Sequence, residues 1–236
     1  MTIAVEPAHR SVLLIGASRG LGLAFASEFL RRGADVTATI RSSGADALQQ
    51  AAQRAPGRLE IEHTDIADDA QTAALAERLA GRTFDLLLVN AGITHDRSLT
   101  AATIGIGEFD RVMATNALAP IRLLDVLDGV VAPDGTVAVM SSGQGSVSGN
   151  TGGGWEVYRA SKAALNQLMR SYAARQPHPD RTLLLLAPGW VRTELGGAGA
   201  SATVEQAVPP LVDTIEAQRH HTGLQFLDRE GQSVSW

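Results

Sequence analysis

The residues best suited to chemistry are a tyrosine and a lysine four positions apart, Tyr158 and Lys162. A helical apolar pattern continues from them through Leu165 to Met169, and the i, i+4 spacing places both side chains on one face. A free phenol, with a pKa of about 10, is a poor acid or base at neutral pH, and a nearby cation stabilises its phenolate. The pair predicts acid–base chemistry at Tyr158, although the same spacing also occurs on solvated helix faces.

A glycine-rich turn is a second candidate site. The residues GASRGLG at 16–22 follow an apolar run at 12–15 and open an amphipathic helical pattern, which is the context that a dinucleotide-binding turn requires. Glycines let the backbone approach a pyrophosphate closely, and the helix N-terminus supplies free N–H groups. A plain strand-to-helix turn is the alternative interpretation.

The elements that must position these residues follow an alternating pattern. Apolar runs at 12–15, 36–40, 59–61 and 84–89 alternate with helical patterns at 21–30, 45–55 and 70–79, and further runs lie at 137–140, 183–186 and 224–227. Continuous apolar runs are typical of parallel strands covered on both faces. We therefore predict an α/β fold, one doubly wound Rossmann-type domain over residues 1–236 with about seven parallel strands. The Gly/Ser-rich stretches 141–154 and 196–201 follow two predicted strands and are candidate walls of the active site.

Composition limits the classes of partner. Twenty basic and twenty-five acidic side chains give a net charge of -5 without charge blocks, which argues against nucleic acid and anionic membranes. The absence of cysteine excludes disulfides and thiolate metal sites. Glu6 and Pro7 interrupt the segment where a signal peptide would need an apolar run, so we expect a soluble, cytoplasmic protein with a small-molecule substrate. The sequence does not decide between a monomer, a homodimer and a homotetramer.

Together these motifs resemble the short-chain dehydrogenase/reductase family over nearly the whole chain. Residues 16–22 match its cofactor motif, residues 90–92 match most of its NNAG motif with Val89 in place of the first asparagine, and Tyr158 with Lys162 matches YxxxK. The stretch 141–166 and the segment 188–191 are similar to the branch of C-signal and the sniffer-like carbonyl reductases.

The resemblance implies reversible hydride transfer between NADP(H) and a ketone or aldehyde, with Tyr158 as general acid/base. It implies that Lys162 lowers the pKa of Tyr158 and holds the nicotinamide ribose, that Ser142 polarises the carbonyl, and that Asn116 supports a proton-relay water. Ser142 lies sixteen residues before Tyr158, a longer gap than is usual, so the neighbouring Ser141 and Ser146 are the alternative serines. The implied cofactor-binding residues are Gly16, Ser18, Arg19, Gly20, Leu21, Gly22, Arg41, Asp65, Ile66, Asn90, Ala91, Gly92, Tyr158, Lys162, Pro188, Gly189, Val191 and Thr193.

Two arginines favour NADPH over NADH. No acid ends the second predicted strand, which runs into Arg41, and Arg19 lies inside the glycine turn. A carboxylate at the end of that strand would repel a ribose 2′-phosphate, whereas a guanidinium binds it. Two charge-assisted hydrogen bonds of about 1.5 to 3 kcal/mol each predict roughly a hundredfold preference or more.

Three side chains are candidate substrate contacts: Gln144, Trp155 and Trp190. The alternatives are loop hydrogen bonding for Gln144 and anchoring of the helix start for Trp155. His95 is expected at the pocket rim, and no metal site is predicted. A competing function is a regulatory or signalling protein that binds the dinucleotide with little or no turnover, but such a protein would not need Asn116 and Ser142 together with the tyrosine and lysine.

Overall fold

Seven parallel strands form one sheet in the computed structural model, which describes residues 10–236. Residues 1–9, which include the predicted non-signal segment and the start of the predicted domain, lie outside the described residues. The sheet order is β3-β2-β1-β4-β5-β6-β7. The strands are β1 (Ser11–Ile15), β2 (Asp35–Ile40), β3 (Leu59–His63), β4 (Phe84–Val89), β5 (Val131–Met140), β6 (Thr182–Ala187) and β7 (Gly223–Asp228).

Helices cover both faces of the sheet, as the sequence predicts. The predicted helical pattern at 45–55 ends earlier, at Ala52, and a π-helical turn, Ala114–Leu118, joins two of the helices. Within residues 10–236 no helix has the length and apolarity needed to cross a membrane. The helices are α1 (Gly20–Arg31), α2 (Ala45–Ala52), α3 (Asp69–Arg78), α4 (Ile106–Met113), α5 (Ala119–Val126), α6 (Glu156–Arg175) and α7 (Val204–Ala217).

Alternate side chains of each strand enter two separate cores. Leu13 and Ile15 pack into one core with α6, while Val12 and Leu14 pack into the other with α1 and α7. Every one of these four side chains is fully buried. Both faces of the central strands are therefore buried against apolar side chains, which is why these strands are unbroken apolar runs in the sequence.

The strand order places two loops side by side at the carboxyl edge of the sheet. The chain builds β1, β2 and β3 outward and then returns to add β4 beside β1, which creates a topological switch point between β1 and β4. There, the Ile15 carbonyl accepts hydrogen bonds from the backbone N–H groups of Asn90 and Ala91. Open α/β sheets bind ligands at such a crevice.

Candidate active site

Loops at the carboxyl edge enclose a cavity of about 940 Å³. Except for Gly22, all of the predicted cofactor-binding residues line it. Ser142 and the three predicted substrate contacts, Gln144, Trp155 and Trp190, line it as well. The cavity therefore brings the glycine turn and the tyrosine–lysine pair into one site.

Close packing behind the glycine turn explains its glycines. A Cβ at Gly16, whose φ is +87°, would lie 2.9 Å from Ala91, and a Cβ at Gly22 would lie 2.0 Å from the Gly16 carbonyl oxygen. The amide of Asn90 donates to that same oxygen at 2.8 Å. Gly22 thus shapes the turn from behind, outside the cavity. The Arg19 side chain makes no capping hydrogen bond at the start of α1, so the first N–H groups of the helix are suited to an anionic ligand.

Tyr158 and Lys162 lie on the first turns of α6, and both are buried. Burial raises the pKa of Tyr158 to about 12, and a hydrogen bond with Ser142 acts in the opposite direction. The phenol therefore keeps its proton at neutral pH, as a proton donor must. The lowering of the Tyr158 pKa by Lys162, which the resemblance implies, stays a prediction.

The Lys162 ammonium is held at the end of β5. Its Nζ donates to the Met140 carbonyl at 2.9 Å and lies 5.9 Å from the centre of the Tyr158 ring. Burial lowers the pKa of Lys162 to about 8. A Cβ at Gly92 would lie 3.6 Å from Nζ, so the glycine leaves the space beside the ammonium open.

The three candidate serines have different partners. Ser141 donates to Asn166 at 2.6 Å in the interior, and Ser146 contacts the Trp236 carbonyl outside the cavity. Ser141 and Ser142 both line the cavity, but the Ser142 hydroxyl is the one that contacts Tyr158, and it accepts from the backbone N–H of Gln144 at 3.1 Å. Of the three, the structure brings only Ser142 next to the tyrosine.

Asn116 sits in the π-helical turn and is fully buried. Its Oδ1 accepts from the Ile93 N–H at 2.8 Å, and its Nδ2 donates to the Ile93 carbonyl and to Ser161. The side chain thus secures the loop after β4 and does not line the cavity. Its role in a proton relay stays a prediction.

Both predicted phosphate-binding arginines line the cavity beside a carboxylate. Arg19 forms an ion pair with Glu194, and Nη1 of Arg41 lies 3.8 Å from Asp65. All four side chains remain partly exposed. Glu194 went unrecognised in the sequence because it stands far from Arg19 along the chain, with no motif of its own.

Two tryptophans form walls of the cavity. The Trp155 ring meets the Tyr158 ring edge to face, with centroids 5.7 Å apart, and Trp155 is the residue just before α6. Its contact with substrate and its anchoring of the helix start both stay predictions. Trp190 donates from Nε1 to the Gly196 carbonyl at 2.8 Å and leaves half of its surface exposed. The Oε1 atom of Gln144 is buried without a partner among the described residues.

Other expectations had mixed outcomes. His95 is buried and does not line the cavity, which corrects its expected position at the rim: Ile93 and Thr94 line the cavity and the chain then turns inward. Several residues line the cavity without any recognisable sequence signal, among them Ile93, Thr94, Arg111, Thr115 and Leu195. Between residues 10 and 236, no three His, Asp or Glu side chains group to hold a metal ion.

Comparison with known proteins agrees with the resemblance. The short chain dehydrogenase family model matches residues 10–202. A short-chain dehydrogenase/reductase from Burkholderia multivorans, crystallised with bound NADP, is 48% identical with a TM-score of 0.92, covering 97% of this chain and 100% of that chain. A carbonyl reductase from Pseudomonas aeruginosa PAO1, in complex with NADP, is 40% identical with a TM-score of 0.87, covering 95% and 98%.

Among curated proteins, C-signal of Myxococcus xanthus is 30% identical over 168 residues, covering 69% of this chain and 99% of that protein. The relatives thus include both C-signal and carbonyl reductases. The predicted family, branch and fold class are confirmed.

Proposed function

The chain belongs to the short-chain dehydrogenase family, an oxidoreductase family, and we propose that it uses NADPH to reduce a ketone or aldehyde to an alcohol. The observation that carries this proposal is the placement of Tyr158, buried and protonated, beside Ser142 in the cavity that also contains the glycine turn. A carbonyl group in this cavity can meet a proton donor and a hydride donor together.

The site fits a dinucleotide. The uncapped start of α1 and the close approach at Gly16 suit a pyrophosphate, and two similar proteins have NADP bound. Bound NADPH supplies the hydride for the carbonyl carbon. Lys162 would hold the nicotinamide ribose with its ammonium, and the segment from Pro188 to Thr193 would hold the nicotinamide.

In the proposed reaction, the Ser142 hydroxyl donates a hydrogen bond to the substrate oxygen and polarises the carbonyl. As the carbon accepts the hydride, Tyr158 Oη transfers its proton to the same oxygen, which yields the alcohol and a phenolate. The Lys162 ammonium stabilises that phenolate until a solvent proton restores it. The walls formed by Trp155 and Trp190 favour an apolar substituent on the substrate.

Arg19 and Arg41 support a preference for NADPH over NADH. Each can reach an anion at the cavity, and β2 ends without an acid before Arg41. Because both arginines are well exposed, solvent screening reduces the preference to about tenfold or somewhat more. Arg19→Ala combined with Arg41→Ala should remove it, as measured by kcat/KM with each cofactor.

The proposed activity is tested by NADPH consumption against a panel of ketones, aldehydes and enones, with product analysis. We expect turnover of at least one carbonyl class. If NADPH binds tightly and no class is reduced, the protein is a dinucleotide-binding regulator, the alternative that its similarity to C-signal raises.

A further inference from the structure

Arg97 joins three loops around the substrate end of the cavity. Its guanidinium lies over the Trp155 ring, 4.1 Å from the centroid, and Nη2 donates to the Leu195 carbonyl at 2.5 Å. A Cβ at Gly197 would lie 3.3 Å from the same guanidinium. One side chain from the loop after β4 therefore contacts both the turn before α6 and the loop after β6.

We propose that Arg97 is a positioning and specificity-determining residue: it holds Trp155 against Tyr158 and closes the substrate end of the cavity. This inference rests on the proposed carbonyl reduction. Arg97 itself does not line the cavity, so its effect passes through Trp155 and Leu195, which do.

The backbone at Trp155 needs such support. Its φ of +53° lies in the left-handed region, which is unfavourable for a tryptophan, and the two preceding residues, Gly153 and Gly154, also have positive φ. A Cβ at either glycine would meet nothing within 4 Å, so packing does not confine this turn. Hydrogen bonds hold the backbone of the two glycines, from Gly153 N–H to Asn150 and from Arg159 to the Gly154 carbonyl. The position of the Trp155 ring depends on its own contacts, and Arg97 covers one face of that ring.

The Arg97 guanidinium is available for this role. Within residues 10–236 it forms no ion pair with a carboxylate, and its observed partners are an aromatic face and a backbone carbonyl. Arginine suits both partners, because its planar group stacks on aromatic rings while its edge donates hydrogen bonds.

Loss of Arg97 should open the substrate end without disturbing the cofactor end. In Arg97→Ala, Trp155 loses its cover and the loop at Leu195 loses its anchor, so the cavity enlarges beside Tyr158. The kcat/KM of a bulky ketone should then rise relative to that of a small aldehyde. The affinity for NADPH should change less, because among the described residues the hydrogen bond of Arg97 goes to the Leu195 carbonyl and not to the glycine turn.

The experiment compares Arg97→Ala, Arg97→Lys and the control Arg122→Ala. Arg122 is also an exposed arginine, but its partner is Asp69 on α3 and it does not line the cavity. Trp155 accessibility is measured by acrylamide quenching, with Trp155→Phe versions of each protein to isolate its signal. Kinetics use butanal and 2-acetonaphthone with NADPH, together with the best substrate from the panel.

We expect Arg97→Ala to expose Trp155, to raise the KM of the small substrate about tenfold, and to raise the 2-acetonaphthone to butanal ratio of kcat/KM by a similar factor. Arg97→Lys should recover part of each change, and Arg122→Ala should match the wild type. If Trp155 quenching is the same in Arg97→Ala as in the control, or if Trp155 is exposed while KM and the ratio stay constant, the proposal is wrong. An inactive wild type would overturn the proposed carbonyl reduction. Because quenching needs no turnover, it would still test whether Arg97 holds Trp155 in place.

Discussion

Burial shifts the pKa values of Tyr158 and Lys162 in opposite directions. It raises the pKa of Tyr158 to about 12 and lowers that of Lys162 to about 8. Over the range from neutral pH to about 12, the tyrosine therefore remains a proton donor while the lysine changes its charge. As the pH rises from neutral, the first change in activity should come from the loss of charge on Lys162.

Reduction should lose activity as the pH rises through about 8, because Lys162 becomes neutral and no longer stabilises the phenolate. The measurement is kcat/KM against pH, which reports groups of the free enzyme. In Lys162→Arg the substituted guanidinium stays charged throughout, so any remaining activity should show no fall near that pH. A fall near pH 8 that persists in this variant would assign the titration to another group.

The identity of the active serine is tested by three alanine substitutions. Ser142→Ala should lower kcat by about a hundredfold or more, as expected for losing a hydrogen-bond donor to a developing oxyanion. Ser146→Ala should have a small effect, since Ser146 contacts the Trp236 carbonyl outside the cavity. Ser141→Ala serves as a control for the buried bond to Asn166. If Ser146→Ala proves the most damaging, the assignment of Ser142 is wrong.

At the scale of the elements, the loops after β1 and β6 face each other across the cavity through Arg19 and Glu194. Glu194 brings a negative charge to a site proposed for a polyanionic cofactor. To bind a phosphate, Arg19 must give up its ion pair with this residue. Glu194 therefore competes with the cofactor for the same guanidinium.

Glu194→Gln should bind NADP⁺ more tightly than the wild type, by a fewfold given the exposure of the pair, and the gain for NAD⁺ should be smaller. Titration calorimetry with both cofactors measures this. In the background of Arg19→Ala the substitution should have much less effect on NADP⁺. Equal or weaker binding by Glu194→Gln would show that the carboxylate does not compete.

The elements differ in how well the sequence predicts them. All seven strands were predicted, because buried parallel strands such as β4 and β6 are apolar on both faces. Helix α7 was not predicted, and it contains Pro209 and Pro210, which normally argue against a helix interior. A capping box at Thr203 starts it and packing against the second core holds it.

The residues of the candidate site also differ in how well the sequence predicts them. Tyr158, Lys162 and the glycine turn were found because their chemistry depends on local spacing. The contacts of Arg97 with Trp155 and of Arg19 with Glu194 join residues far apart in the chain, so only the folded loops reveal them. His95 was misplaced because the direction of a loop residue is set by the elements around it.

At the scale of the whole molecule, a buried ion pair and the cavity lie at opposite ends of the same strands. Arg181 is almost fully buried just before β6, where it donates to Asp128 at 2.5 Å and to the Val131 carbonyl at the start of β5. The cavity lies at the other ends of these strands. A change to this ion pair should therefore destabilise the fold without altering the reaction.

Asp128→Ala should lower the free energy of unfolding by about 3 kcal/mol, because a buried guanidinium loses its carboxylate. Asp125→Ala is a matched control three residues away, since Asp125 pairs with the exposed Arg175 and should cost about 1 kcal/mol or less. Denaturant unfolding measures both, and kcat per folded molecule should be unchanged. Equal effects of the two substitutions would contradict the structural role of the buried pair.

The central claim is that the protein transfers hydride to a carbonyl while Tyr158 supplies the proton. The direct measurement is reduction of the best panel substrate with NADPH that carries deuterium at the transferable position of the nicotinamide, in the wild type and in Tyr158→Phe. We predict deuterium at the carbinol carbon of the wild-type product. In Tyr158→Phe we predict retained NADPH binding with product formation reduced by about 10² to 10⁴. Deuterium absent from every product, or near wild-type turnover in Tyr158→Phe, would contradict the claim.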